Sequence, residues 1–242
     1  MSLFPVAGCK IYIGGALSDK ASDFVASDFS AEVWTEIDGW EQMGSAGDTA
    51  QVISTDLINR NRTVKQKGTR NAGQMQNVFA VLTDDAGQIA LIAAEKTSLN
   101  YAFRIKLNDA PAARSFTATI SNASPGVVTK VAHGLVANTP VTLSTTGALP
   151  TGLSPATTYY VKTVLDADTF TLSATPGGSA INTTGAGSGT HTVTTVPTPS
   201  ERMFVALVMT AQEAGGGANT IQKLNATLEI NSNIVPVAAL GA

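Results

Sequence analysis

From Thr117 to Pro199 this chain carries only four charged residues, Lys130, Lys162, Asp166 and Asp168, in a stretch of 83. The remaining residues hold 29 of the 33 charges. The poor stretch is dominated by Thr, Ser, Ala, Gly and Val, and it contains both histidines and neither tryptophan. A composition shift this sharp marks an inserted module in a discontinuous outer domain. The boundaries read as 1–116 and 198–242 for the outer domain and 117–197 for the insert.

Inside the insert, short β-type runs alternate with turn signals. Phe116, Ala118 and Ile120 face one way and Thr117 and Thr119 the other, the period of a half-buried strand. Val127–Val131, Val141–Leu143, Tyr159–Leu165, Phe170–Leu172 and Thr190–Val196 supply five more strands. Ser124-Pro125-Gly126, Gly147–Gly152 and Pro176-Gly177-Gly178 supply turns. Thr and Val suit a pleated surface because branching at Cβ already restricts χ1. Six short strands of this kind predict a small closed barrel or sandwich.

The outer segments predict a second, mainly β domain, a barrel or sandwich carrying one α-helix. Thr49–Asn59 and Thr63–Lys67 read as a hairpin around Asn59-Arg60-Asn61-Arg62. Lys10–Ile13, Val78–Leu82, Tyr101–Leu107, Met203–Thr210 and Asn225–Ile230 read as strands, the last closing the sheet. Tyr101–Leu107 and Met203–Thr210 flank the insert and are expected to pair. Asp84 and Asp85 offer N-caps for a helix running to about Glu95, with Lys96 at its negative end. Ala86, Ile89, Ala90 and Ala93 fall at i, i+3, i+4 and i+7, so that stripe is expected against the sheet.

Charge and composition exclude several functions. At 14% charged the chain lies well below the roughly 25% of an average soluble domain. Its 43% hydrophobic content argues against disorder. A formal charge of −3 is unlike a generally basic nucleic-acid binder. No apolar run approaches the ~18–20 residues of a membrane helix. Val6-Ala7-Gly8-Cys9 mimics a lipoprotein box. It lacks the basic start and the apolar run of an export signal, so the protein is expected to stay inside the cell that makes it.

Catalytic constellations are missing as well. Cys9 is the only cysteine, so neither an internal disulfide nor a zinc site of paired cysteines can form. His133 and His191 show no metal-ligand spacing, and a Ser-His-acid triad would need one of them as its base. Asp166 and Asp168 sit in a stretch that reads as a hairpin turn, where Asx side chains bond local backbone. Gly185-Ala186-Gly187-Ser188-Gly189 is no phosphate loop, since no Lys-Ser/Thr follows it. Gly215-Gly216-Gly217 reads as a loop between strands. The expectation is a protein without enzymatic activity, cofactor or metal.

One feature is pronounced. Asp19, Asp23, Asp28, Glu32, Glu36, Asp38, Glu41, Asp48 and Asp56 stand against the single base Lys20. Arg60, Arg62, Lys65, Lys67 and Arg70 then follow without an acid between them. Two solvated faces would account for these runs. A more specific account is self-complementarity, with the acidic surface of one copy meeting the basic surface of the next, head to tail. Nucleic acid on the basic run is disfavoured by the adjacent acids.

The order of features resembles the major tail tube protein of long-tailed, non-contractile (siphovirus-type) bacteriophages. The residues that carry the likeness are a Trp34/Trp40 segment, the Val52-Ile53-Ser54-Thr55-Asp56-Leu57 strand and an Arg/Lys loop ending in Gly68. The Asp84-Asp85-Ala86-Gly87 helix start, Tyr101-Ala102-Phe103-Arg104-Ile105 and a terminal Leu224–Asn231 strand continue it. The insert is similar to a small immunoglobulin-like β-module recurrent in phage tail proteins. That likeness runs through Val131-Ala132-His133-Gly134-Leu135, Leu149-Pro150-Thr151-Gly152-Leu153, Thr158-Tyr159-Tyr160-Val161 and Ala174-Thr175-Pro176-Gly177-Gly178. Together these stretches span most of the chain.

The resemblance implies a virion protein of the tail, assembled in the host cytoplasm as hexameric rings stacked around a tape-measure protein. Tail terminator and distal tail or baseplate proteins are its implied neighbours, and DNA passes transiently through the channel, whose lining is expected to be acidic or mixed. The Thr49–Lys67 hairpin and the arm before Lys10 are the expected ring-to-ring contacts, and the insert is expected to project outward. A ring or tube subunit of a contractile or type VI-like injection system would share the fold. A free carbohydrate-binding β-protein would explain the Thr/Ser-rich module but not the opposed charge blocks.

Overall fold

Branched and aromatic residues alternating with polar ones give this chain sixteen antiparallel strands among the described residues. The computed structural model describes residues 3–185 and 187–241. Met1 and Ser2 of the amino-terminal arm, Ala186 of the Gly185–Gly189 run and the final Ala242 lie outside the described residues.

In chain order the strands are β1 (Lys10–Ala16), β2 (Thr35–Ile37), β3 (Trp40–Gln42), β4 (Thr49–Thr55), β5 (Val64–Asn71) and β6 (Gln74–Ala80). The α-helix α1 (Ala86–Glu95) and β7 (Tyr101–Lys106) come next. After them run β8 (Ser115–Ile120), β9 (Val127–Thr129), β10 (Pro140–Thr145), β11 (Thr158–Val164), β12 (Thr169–Ser173) and β13 (His191–Thr195). The long β14 (Glu201–Ala214), β15 (Lys223–Ile230) and β16 (Val235–Val237) complete the order.

The chain forms two compact units, one of Val6–Leu107 with Glu201–Val237, the other of Asn108–Ser200 with short terminal pieces. The second unit thus reaches beyond 117–197 at both ends. Its ends are tied by the Asp109 carboxylate, which accepts the Ser200 N–H at 2.7 Å and the Ser200 hydroxyl.

The second unit is a closed six-stranded barrel in the order β10-β11-β12-β9-β8-β13. Inward residues of every strand meet in one core that includes Val128, Val141, Leu143, Val161, Phe170 and Val193. Closure leaves no strand edge unpaired, which suits a segment with few charges to protect an edge. Among its buried hydroxyls, Thr183 Oγ1 donates to the Ser121 carbonyl at 2.6 Å and the Tyr159 oxygen accepts the Ser154 N–H at 2.8 Å, whereas those of Thr139 and Thr171 have no hydrogen-bond partner among the described residues.

The first unit is built on a sheet in the order β2-β1-β7-β14-β15-β6-β3, with β16 added beside β14. β7 and β14 pair directly, Phe103 opposite Phe204 with their rings 5.7 Å apart. β15 does not close this sheet; it lies between β14 and β6, and β2 and β3 are the edges. The side chains of Ile11, Phe103, Phe204, Leu224 and Leu228 form one core on the helix side. Phe24, Phe29, Ala102, Met203, Val205 and Val235 form a smaller one on the opposite face.

Helix α1 begins where expected but turns a different face inward. Asp85 caps it, its carboxylate accepting the Gln88 N–H at 2.7 Å. Gly87, Gln88, Leu91 and Ala94 are buried, whereas Ile89 is 55% exposed. Two local facts turn the helix. A Cβ on Gly87 would stand 2.0 Å from the Glu36 carbonyl oxygen, so only glycine lets the helix backbone lie on β2. The Gln88 amide then reaches the Asp38 and Ala80 carbonyls at 2.9 and 2.8 Å and accepts the Leu82 N–H at 3.1 Å.

Candidate assembly surface

The basic residues of the 59–70 run lie on a structure apart from the main sheet. β4 and β5 pair only with each other, forming a two-stranded ribbon. Val52 stands opposite Lys67, Ile53 opposite Gln66, Ser54 opposite Lys65 and Thr55 opposite Val64. Directly opposed residues share a face and successive ones alternate. One face therefore presents Val52, Ser54, Lys65 and Lys67, and the other presents Ile53, Thr55, Val64 and Gln66.

Almost nothing covers either face: Val52 is 68% and Ile53 52% exposed. The connecting turn is held by the Arg60 N–H donating to the Leu57 carbonyl at 3.0 Å. It leaves Ile58 fully exposed, with Arg60 and Arg62 just beyond. Among the described residues, Arg60, Arg62, Lys65 and Lys67 have no carboxylate within ion-pair distance. Arg70, at the foot of the ribbon, meets Asp48 at 3.3 Å.

The acidic run fares differently, because bases distant in sequence come to it. Glu36 pairs with Lys10 at 3.0 Å, and that carboxylate raises the lysine pKa. Asp28 pairs with Lys20 and accepts the Val25 N–H at 2.7 Å, contacts that lower its own pKa. Glu41 pairs with Lys223. Glu32 accepts the Gly15 N–H at 2.6 Å, Asp19 the Lys20 N–H at 2.9 Å and Asp38 the Gly39 N–H at 2.7 Å. Asp23 and Asp56 are exposed and make no hydrogen bond or ion pair with the described residues. Four of the nine acids of this run thus meet a cation in place and three more accept backbone N–H groups, while Arg60, Arg62, Lys65 and Lys67 of the ribbon keep their positive charge.

Of the sequence-selected residues, the fold brings Asp23, Asp48 and Arg70 together around a recess of about 570 Å³ at the ribbon's foot. Glu229, Asn231 and Asn233 complete its wall. These three come from the far end of the chain, and nothing in their local sequence points to them. Asn233 is structural in part, its amide bonding the backbone of Phe24 at 2.7 and 3.0 Å.

Elsewhere, both histidines are buried and tied to their surroundings. His133 Nδ1 accepts the Leu135 N–H at 2.9 Å and its ring meets Phe170 edge-on at 4.9 Å. His191 Nδ1 lies 2.9 Å from the Thr145 hydroxyl. Asp166 accepts the Asp168 N–H at 2.8 Å, and Asp168 the Ala132 N–H at 2.8 Å. Among the described residues no three His, Cys, Asp or Glu side chains are placed to hold a metal ion. No helix there is long and apolar enough to cross a membrane. Comparison with models of known families found no matching family, and comparison with curated proteins found no matching relative.

Proposed function

We propose that this protein is a structural subunit that polymerises with copies of itself, as stacked rings of the phage tail-tube type that conduct DNA. The carrying observation is the β4–β5 ribbon: paired with no other strand, exposed on both faces and bearing four unpaired cations. An isolated hairpin is marginal in water, and both its edges are open to further pairing. Like charges along it add self-repulsion that an acidic neighbour would relieve. A subunit that acquires such a neighbour on assembly accounts for all three features. Exposed Leu3, Phe4 and Val6 in the amino-terminal arm offer a second contact of the same kind. The buried, hydrogen-bonded histidines fit a structural role better than a catalytic one.

Electron microscopy of concentrated protein tests this reading. Rings or tubes are expected at low salt, shrinking in number as ionic strength rises and surface charges are screened. The Arg60→Glu/Arg62→Glu variant is expected to keep its circular dichroism spectrum and lose those particles. A wild-type protein that sediments as a monomer at every salt and protein concentration would refute the proposal.

A further inference from the structure

The ribbon tip has an unusual order of chemistry: exposed Leu57 and Ile58, then Arg60 and Arg62 within four residues. The ribbon's foot shows the complementary order. Its polar recess holds three carboxylates, Asp23, Asp48 and Glu229, against the one guanidinium of Arg70. The Asp23 and Glu229 carboxylates make no hydrogen bond or ion pair with the described residues. Beside the recess lies a mainly apolar groove of about 400 Å³, walled by Met43, Ala46, Ile105, Leu107 and Ile234 together with Asp48 and Arg202. Asp48 borders both cavities, and the stretch Ile230–Ile234 runs from one into the other.

Resting on the self-assembly reading above, we propose that this double cavity is the socket for the ribbon tip of a second copy. Ile58 and Leu57 enter the Met43/Ile105/Ile234 groove, and Arg60 and Arg62 meet Asp23 and Glu229. Formal charge has the complementary sign: three acids less Arg70 leave −2 in the recess, Arg202 of the adjoining groove brings the whole socket to −1, and Arg60, Arg62 and Lys65 less Asp56 give +2 at the tip. The occupant must be another molecule. Seven residues of β4 at ~3.3 Å each hold a chain's own tip roughly 20 Å from its own foot. Tip-on-foot contact is heterologous, so each copy leaves one tip and one socket free and growth continues. Burying Ile58 supplies apolar area that an Arg-only contact would lack, and the guanidiniums fix its register.

Charge exchange and cross-linking test the pairing in the full-length protein. Asp23→Arg/Glu229→Lys is expected to raise the concentration needed for assembly by at least about tenfold, as loss of close charge pairs does. Combining it with Arg60→Glu/Arg62→Glu is expected to restore assembly, with circular dichroism confirming the fold throughout. Independently, Ile58→Cys with Ala46→Cys, in a Cys9→Ser background, is expected to oxidise into a ladder of disulfide-linked oligomers. Either cysteine alone gives dimers at most. Where the two measurements disagree, the ladder decides. Wild-type assembly with no ladder would overturn the socket while leaving self-assembly standing; a wild type that stays monomeric would overturn both. A foot variant that stops assembly by blocking a different protein or surface would yield neither rescue nor ladder.

Discussion

The barrel and the β4–β5 ribbon are both made of short antiparallel strands rich in Thr and Val, yet they solve the edge problem in opposite ways. In the barrel each strand has two neighbours, and inward side chains such as Phe170 and Val193 are fully buried. In the ribbon each strand has one neighbour, and its Val and Ile side chains face solvent. Even the connections differ. In the 165–168 turn of the barrel Asp166 bonds the backbone of its own turn and Asp168 that of Ala132, whereas the ribbon turn ends in two arginines unpaired among the described residues. A region complete within one chain has little reason to carry charge. In the assembly proposed above, a region completed by a neighbour would use charge to find it.

Several perturbations separate these two regimes. Phe170→Ala removes a ring with no exposure from the barrel core and is expected to cost about 3–5 kcal/mol of barrel stability in chemical denaturation. A loss below about 1 kcal/mol would mean that closure, not core packing, holds the barrel. Lys65→Glu/Lys67→Glu on the ribbon is expected to leave folding unchanged. It should raise the assembly concentration about tenfold or more, near 1.4 kcal/mol, read by sedimentation velocity.

The barrel's own charge should instead appear in folding. The Asp168 N–H foremost, with Thr169 beside it, holds the Asp166 carboxyl below its ordinary value of 3.8 in the folded state. Its stabilising contribution is therefore complete above that value and disappears as pH falls through the lower folded one. Asp166→Asn is expected to flatten this acid limb of the stability profile. An unchanged acid limb would show that the turn does not depend on the carboxylate. The smallest effect is expected from Ile53→Thr in the ribbon, within about 0.5 kcal/mol on folding because the side chain is already half in water. A larger loss would mean that the ribbon packs in the single subunit after all.

How far these regions could be read from sequence depends on the range of the forces that shape them. All six barrel strands were legible, since alternation in Phe116–Ile120 and turn residues such as Pro176-Gly177-Gly178 act over a few positions. The ribbon was legible for the same reason, from the Asn59–Arg62 turn between two β-type runs. The short edge strands β2 and β3 and the strand β16 carried too little periodicity to be seen. The helix position was readable from Asp85 but its buried face was not. The apolar stripe through Ile89 lost to a backbone approach at Gly87 and to three hydrogen bonds of Gln88, whose partners lie in other elements.

The sequence by itself determined that the chain is β-rich, that a charge-poor module interrupts it, and that a cationic hairpin stands in its first half. Each follows from local steric preference and from the order of charges along the chain. Only the tertiary structure decided which charges survive. Lys10, Lys20 and Lys223 pair with three of the nine acids, and Asp23, Asp48 and Glu229 gather around one recess from separate parts of the chain. The physical reason is that electrostatic partnership depends on distance in space, which a one-dimensional order of residues does not contain.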